Sequence, residues 1–100
     1  MSRKKNKLSV WRYHRELVGL IGRIAADRRL LDDFLADLLT PSEYEKIATR
    51  WQIVRQLDQD TPQRDIIENL EVAGATVTRG ARMLLNQNGG FHKVLRKITP

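Results

Sequence analysis

The sequence predicts an all-α fold of about six helices, and three observations predict it. Apolar residues recur three and four positions apart along most of the chain. No segment alternates polar and apolar long enough to make a strand. Helix starts and stops are marked by two Thr-Pro pairs and by a glycine-containing polar turn. One hundred residues fit one domain. The expected organisation is a basic flexible arm over residues 1–8 and a single helical domain over residues 9–100.

The first helix is expected from Ser9, where Val10, His14, Leu17, Val18, Ile21, Ile24 and Ala25 share one face. Arg28 to Leu39 repeats the pattern with Leu30, Leu31, Phe34, Leu35, Leu38 and Leu39. Thr40-Pro41-Ser42-Glu43 then reads as a capping box: the Thr40 hydroxyl can accept from the Glu43 amide while the Glu43 carboxylate reaches back. Pro41 takes the first helical position, where a missing N–H costs nothing. That third helix places Tyr44, Ile47, Ala48, Trp51 and Val54 on one face and ends near Leu57. Thr61-Pro62 is expected to start a short fourth helix in the same manner, running from Pro62 to about Leu70. A fifth is expected from about Ala75 to Leu85. Asn86-Gln87-Asn88-Gly89-Gly90 is a turn, and Phe91 to Ile98 closes the chain with a sixth helix.

Charge is placed unevenly. The net charge is +6, yet residues 1–15 carry six basic side chains and no acidic one, and residues 72–100 carry five and none. All twelve acidic residues lie between, in a segment of net charge −5. Purely basic ends attract polyphosphate and repel acidic proteins, although basic termini can also serve solubility alone.

Residues 62–85 have the dimensions of a DNA-binding helix-turn-helix. Ile66, Ile67, Leu70, Val77 and Leu84 are expected to pack the two helices on each other and on the body. Ala75, Thr76, Thr78, Arg79 and Arg82 are left on the leading face. Small residues let a helix N-terminus approach base edges, a Thr can bond a base or touch a thymine methyl, and an Arg can grip guanine with two hydrogen bonds. The free amides at that end favour phosphate. The same string also fits a plain helical hairpin with exposed threonines.

Leu39-Thr40-Pro41-Ser42-Glu43, Ala48-Thr49-Arg50-Trp51-Gln52-Ile53-Val54 and Ala75-Thr76-Val77-Thr78-Arg79-Gly80 together resemble the Trp repressor superfamily. The likeness is good over about Leu38 to Leu85, with about one residue fewer in the loop around Asp58 to Thr61. The tail from Met83 to Phe91 is more similar to the YerC/YecD-type branch of that superfamily. The resemblance implies an intertwined homodimer that carries two reading heads and binds a palindromic operator as a transcriptional repressor. The apolar content of residues 9–57 agrees, since it exceeds what two short helices cover, and Trp11, Phe34 and Trp51 call for large apolar neighbours. The DNA contacts implied are Gln63, Arg64, Gly74, Ala75, Thr76 and Thr78, to which the leading-face reading adds Arg79 and Arg82.

The resemblance also implies a ligand site at Thr40, Arg50, Arg79 and Gly80. In the family two arginines sandwich the indole of tryptophan, so L-tryptophan or a related amino acid is the corepressor implied. A guanidinium pair suits an aromatic carboxylate. Arg50 and Arg79 read equally well as phosphate contacts or as ions that pair helices. Three positions depart from the family pattern. Met83 stands where the repressor has a serine for the ligand's amino group, and Ile67 replaces a basic residue, with Arg82 as an added one. Glu71 stands where the turn usually has glycine, which suggests a reshaped turn with Gly74 absorbing the positive φ.

Other classes fare worse. The chain has no cysteine and only two histidines, His14 and His92, on different expected helices. That leaves no cysteine nucleophile or thiolate metal site, and no glycine-rich phosphate loop or nucleophile elbow is present. An enzyme is not expected, and no cofactor or metal is required. The longest uncharged run, Met83 to His92, has ten residues, too few to cross a bilayer, so a cytoplasmic protein is expected. RNA is disfavoured because Trp11, Tyr13, Tyr44 and Trp51 are expected in the core rather than free for stacking. The rival to a DNA-binding regulator is a helical dimeric interaction module whose basic surface docks an acidic protein.

Overall fold

The computed structural model describes residues 7–99 and contains six α-helices: α1 Lys7–Ile24, α2 Arg28–Leu38, α3 Pro41–Asp58, α4 Gln63–Leu70, α5 Gly74–Leu85 and α6 Gly90–Ile98. No strand occurs among the described residues. The all-α expectation holds. The chain divides into two compact units, the first ending at Pro41 and the second starting at Ser42.

In the first unit α1 and α2 pack as a helical hairpin. The turn between them is set by Asp27, whose N–H donates to the Ile24 carbonyl at 3.0 Å. Its carboxylate then caps α2, accepting from the Leu30 N–H at 3.1 Å. In the sequence this cap is marked by an Asp three residues before Leu30. α1 starts at Lys7, so the expected arm of residues 1–8 loses its last two residues to the helix, and its first six lie outside the described residues. None of the unit's described residues is buried. The expectation of a core position for Trp11 and Tyr13 is therefore corrected: they are 65% and 55% exposed. His14, expected on an apolar stripe, is exposed as well and meets the Trp11 ring edge-on at a centroid distance of 6.0 Å.

The second unit has a true core. Ile53 of α3, Ile66 of α4 and Val77 of α5 are fully buried against one another, and Leu57, Ile67, Leu70 and Val72 pack around them. Val54 is buried too, and Leu95 ties α6 down. Two Schellman turns give this unit its corners. After α3 the Thr61 N–H donates to the Gln56 carbonyl at 2.9 Å and the Asp60 N–H to the Leu57 carbonyl at 3.0 Å, with Asp60 left-handed at φ 61°. After α4 the Val72 N–H donates to the Ile67 carbonyl at 3.2 Å, with Glu71 left-handed at φ 53°.

Two local expectations are corrected here. Gly74 does not absorb the positive φ; no described glycine has one, and Glu71 itself adopts the left-handed conformation. The Schellman geometry requires it at that residue, because the Val72 and Ile67 side chains must close over the core. Nor does Thr61 cap α4. The helix starts one residue later than expected, at Gln63, so the cap position falls on Pro62, which has no side-chain oxygen to accept an amide, and Thr61 lies before it.

Candidate nucleic-acid interface

α4, the three-residue connection Glu71–Ala73 and α5 make a helix-turn-helix seated on α3 through the Ile53, Ile66 and Val77 cluster. Burial of Ile66 and Val77 fixes the rotation of both helices. It turns Gln63 and Arg64 of α4 and Gly74, Ala75, Thr78, Arg79 and Arg82 of α5 to the exposed surface. Thr76 differs: it is half-buried and lines a groove of about 500 Å³ with Lys46, Thr49 and Arg50 of α3.

The start of α5 is open. Its cap residue, Ala73, has no side chain to offer, and its carbonyl accepts from the amides of Thr76 at 3.1 Å and Val77 at 3.4 Å. The amides of Gly74 and Ala75 precede these first intrahelical bonds and point outward with the positive end of the helix dipole. The fold does not demand glycine at position 74. Its φ is not positive, and an added Cβ would meet only the Ile67 Cδ1 at 3.5 Å, an ordinary contact. What a bare backbone provides there is close approach from outside.

Of the residues implied for a ligand site, Arg50, Arg79 and Gly80 come together around one cavity of about 30 Å³, which Thr76 and Phe91 also line. Thr40 belongs to the first unit and is exposed, directly before α3. Gly80 sits at a close approach of two helices. A Cβ there would lie 3.1 Å from the Ile53 Cγ2, so the missing side chain lets α5 approach α3. A larger pocket of about 570 Å³ opens beside the cavity, with Trp51, Met83, Phe91 and Val94 on its walls and Arg79 at its polar side. Nothing in the sequence marks Phe91 as part of this site. Its role depends on the turn from Asn86 to Gly90 carrying α6 back to α3, which no local pattern encodes. Among the described residues no group of His, Cys, Asp or Glu is placed to hold a metal ion, and no helix is long and apolar enough to cross a membrane.

An exposed basic and threonine-bearing second helix, open at its N-terminus and locked on a helical body, defines a helix-turn-helix protein of the transcription-regulator class. Comparison with known proteins narrows the class. The family described as Trp repressor protein matches residues 15–99. The chain is 44% identical over 78 residues to a Trp operon repressor homolog of Mannheimia succiniciproducens, covering 77% of each chain. It is 51% identical over 60 residues to that of Actinobacillus succinogenes, covering 59% of each. With that of Haemophilus influenzae it shares 37% over 76 residues, covering 75% of each. No solved structure matches. The chain belongs to the Trp repressor family, whose members regulate transcription and are not enzymes.

Proposed function

We propose that this protein is a cytoplasmic homodimeric repressor that reads a palindromic operator in double-stranded DNA with α5. The observation that carries the reading is α5 itself. Its Thr78, Arg79 and Arg82 are exposed, its first amides are free of side-chain caps, and its rotation is fixed by a buried Val77. Gln63 and Arg64 open α4 beside it, where phosphate contacts fix register.

Dimerisation is supported by what the chain leaves uncovered. The first unit has no buried residue among those described, although α1 and α2 carry Leu17, Val18, Leu20, Leu30, Phe34 and Leu38. Val18 is 69% exposed. Fully burying each such side chain contributes roughly 1.5–3 kcal/mol, so a second copy that completes the core is the economical way to hold this hairpin. Two-fold pairing presents two α5 helices and hence calls for a two-fold symmetric site. On this reading residues 9–100 form one domain whose core closes only in the dimer.

An amino-acid corepressor of the tryptophan kind is what the family suggests. The space between Arg50, Arg79 and Gly80 is at present about the volume of one water molecule. An indole-sized ligand enters that space only if its lining residues, Phe91 among them, move apart.

Selection of bound duplexes from a random pool, with sedimentation of the free protein, tests the proposal. Enrichment of an inverted repeat by a two-chain species is expected. A single-chain species that enriches no sequence at low salt overturns the proposal. The rival module for acidic proteins differs in its salt response. Counterion release from DNA gives a linear fall of log affinity with log salt and leaves a preference among sequences, whereas protein docking leaves none.

A further inference from the structure

The 30 Å³ cavity has an uncommon wall. Arg50 comes from α3, Thr76, Arg79 and Gly80 come from α5, and the aromatic ring of Phe91 comes from the first turn of α6. The ring is half-buried and stands tilted at 47° against Trp51 at a centroid distance of 6.4 Å. Its delivery is well fixed. The Asn86 side-chain carbonyl accepts from the Asn88 N–H at 3.1 Å, and the Asn86 backbone carbonyl accepts from the Gly89 N–H at 2.9 Å. Gly89 is packed so closely that a Cβ would lie 3.1 Å from that same oxygen. Downstream, Leu95 is 7% exposed and anchors α6. A rigid turn and a buried anchor thus hold an aromatic group between the body helix and the reading helix.

We infer that Phe91 serves as an internal aromatic ligand, filling the space beside Arg50, Arg79 and Gly80, so that α5 is held for DNA with no free effector. The inference rests on the proposed DNA-binding function and deepens it. A free ligand stabilises the conformation it binds to a degree that rises with the logarithm of its concentration above Kd. A covalently attached side chain does the same at a fixed effective concentration, which makes the protein indifferent to metabolite level. Removing the ring leaves an apolar hole continuous with the 570 Å³ pocket that Phe91 also lines, and a hole of that kind takes up small aromatic molecules.

The test uses the full chain and free indole. Wild type is expected to bind its selected duplex with an affinity that changes less than twofold on adding 1 mM of any of the twenty amino acids or indole, and its melting temperature stays constant. Phe91→Ala is expected to melt several degrees lower and to bind the duplex at least tenfold more weakly, with indole restoring a good part of both. An increase of tenfold or more in wild-type DNA affinity with an amino acid overturns the inference. So does a folded Phe91→Ala that binds DNA as wild type does. If wild type binds no duplex, the DNA reading fails, while the melting arm still reports on occupancy: indole that stabilises wild type as much as Phe91→Ala means that the ring does not fill the site. Should Phe91→Ala not fold, wild-type NMR carries the test. Contacts between the Phe91 ring protons and the Thr76 methyl are expected, and their absence overturns the assignment.

Discussion

A Cβ added at Gly80 would lie 3.1 Å from the Ile53 Cγ2 and 3.7 Å from the Leu57 Cδ1, so α5 rests on α3 at a point where a side chain is accepted only if Ile53 shifts. Ile53 is fully buried, and close-packed interiors resist displacement of such a side chain. Gly80→Ala is expected to destabilise by about 1–3 kcal/mol through overpacking. Denaturant unfolding measures it. The gain in helix propensity from Gly to Ala, about 1 kcal/mol, opposes the loss, so a net stabilisation would show that α5 can slide outward.

Glu71 holds a left-handed conformation at φ 53° that ordinary side chains tolerate poorly. Glu71→Gly removes that strain and is expected to stabilise by about 0.5–1 kcal/mol, the relief being partly offset by the greater freedom of glycine in the unfolded chain. The melting temperature should rise, with DNA affinity unchanged.

Gly74 makes the opposite case. Its backbone conformation and surroundings accept a methyl group. Gly74→Ala is therefore expected to keep or slightly raise the melting temperature while weakening operator binding about tenfold, or about 1.4 kcal/mol. Thermal denaturation and fluorescence anisotropy on the same sample separate the two effects.

Thr78 and Arg82 are exposed along α5, but their chemistry differs. Thr78→Ala should reduce discrimination between operator variants, each altered base pair then costing less than the usual 1–3 kcal/mol or so. Arg82→Ala should weaken binding to all sequences alike and lower the slope of log affinity against log salt by about 1. Salt titrations on two duplexes distinguish them.

Val18 is 69% exposed on α1, so a charge there costs an isolated chain little. In a dimer that buries it, Val18→Glu forces a carboxylate into an apolar interface. Sedimentation should show the dimer dissociating at concentrations where wild type stays paired, and operator binding should weaken in parallel.

Much of the fold could be read along the chain because its signals are local. Pro41 marks the first residue of α3, the polar run from Asn86 to Gly89 breaks the chain before α6, and the spacing of Ile66, Ile67, Leu70 and Val77 set which sides of α4 and α5 face inward. Periodicity needs only neighbours three and four residues away, and those neighbours are fixed as soon as a helix forms. The exposed Thr78, Arg79 and Arg82 were legible by the same logic, as the complement of the buried face. Burial of Trp11 and Tyr13 was not a local matter. An apolar stripe states that something should cover it but not whether the same chain does so, and both rings are largely exposed.

The ends of helices and the contents of the cavity required the assembled chain. Glu71 takes a left-handed conformation because the Val72 amide must reach the Ile67 carbonyl for the corner to close, a demand that overrides the residue's own preference. Phe91 meets Arg50, Arg79 and Gly80 because α6, joined to α5 by a short turn, folds back with it onto α3, which lies well upstream in the chain. Local chemistry thus set the helices and their inward faces, since hydrogen bonds and periodicity act over a few residues. Packing decided which side chains line the cleft beneath α5, because excluded volume is settled only when all the neighbours are in place.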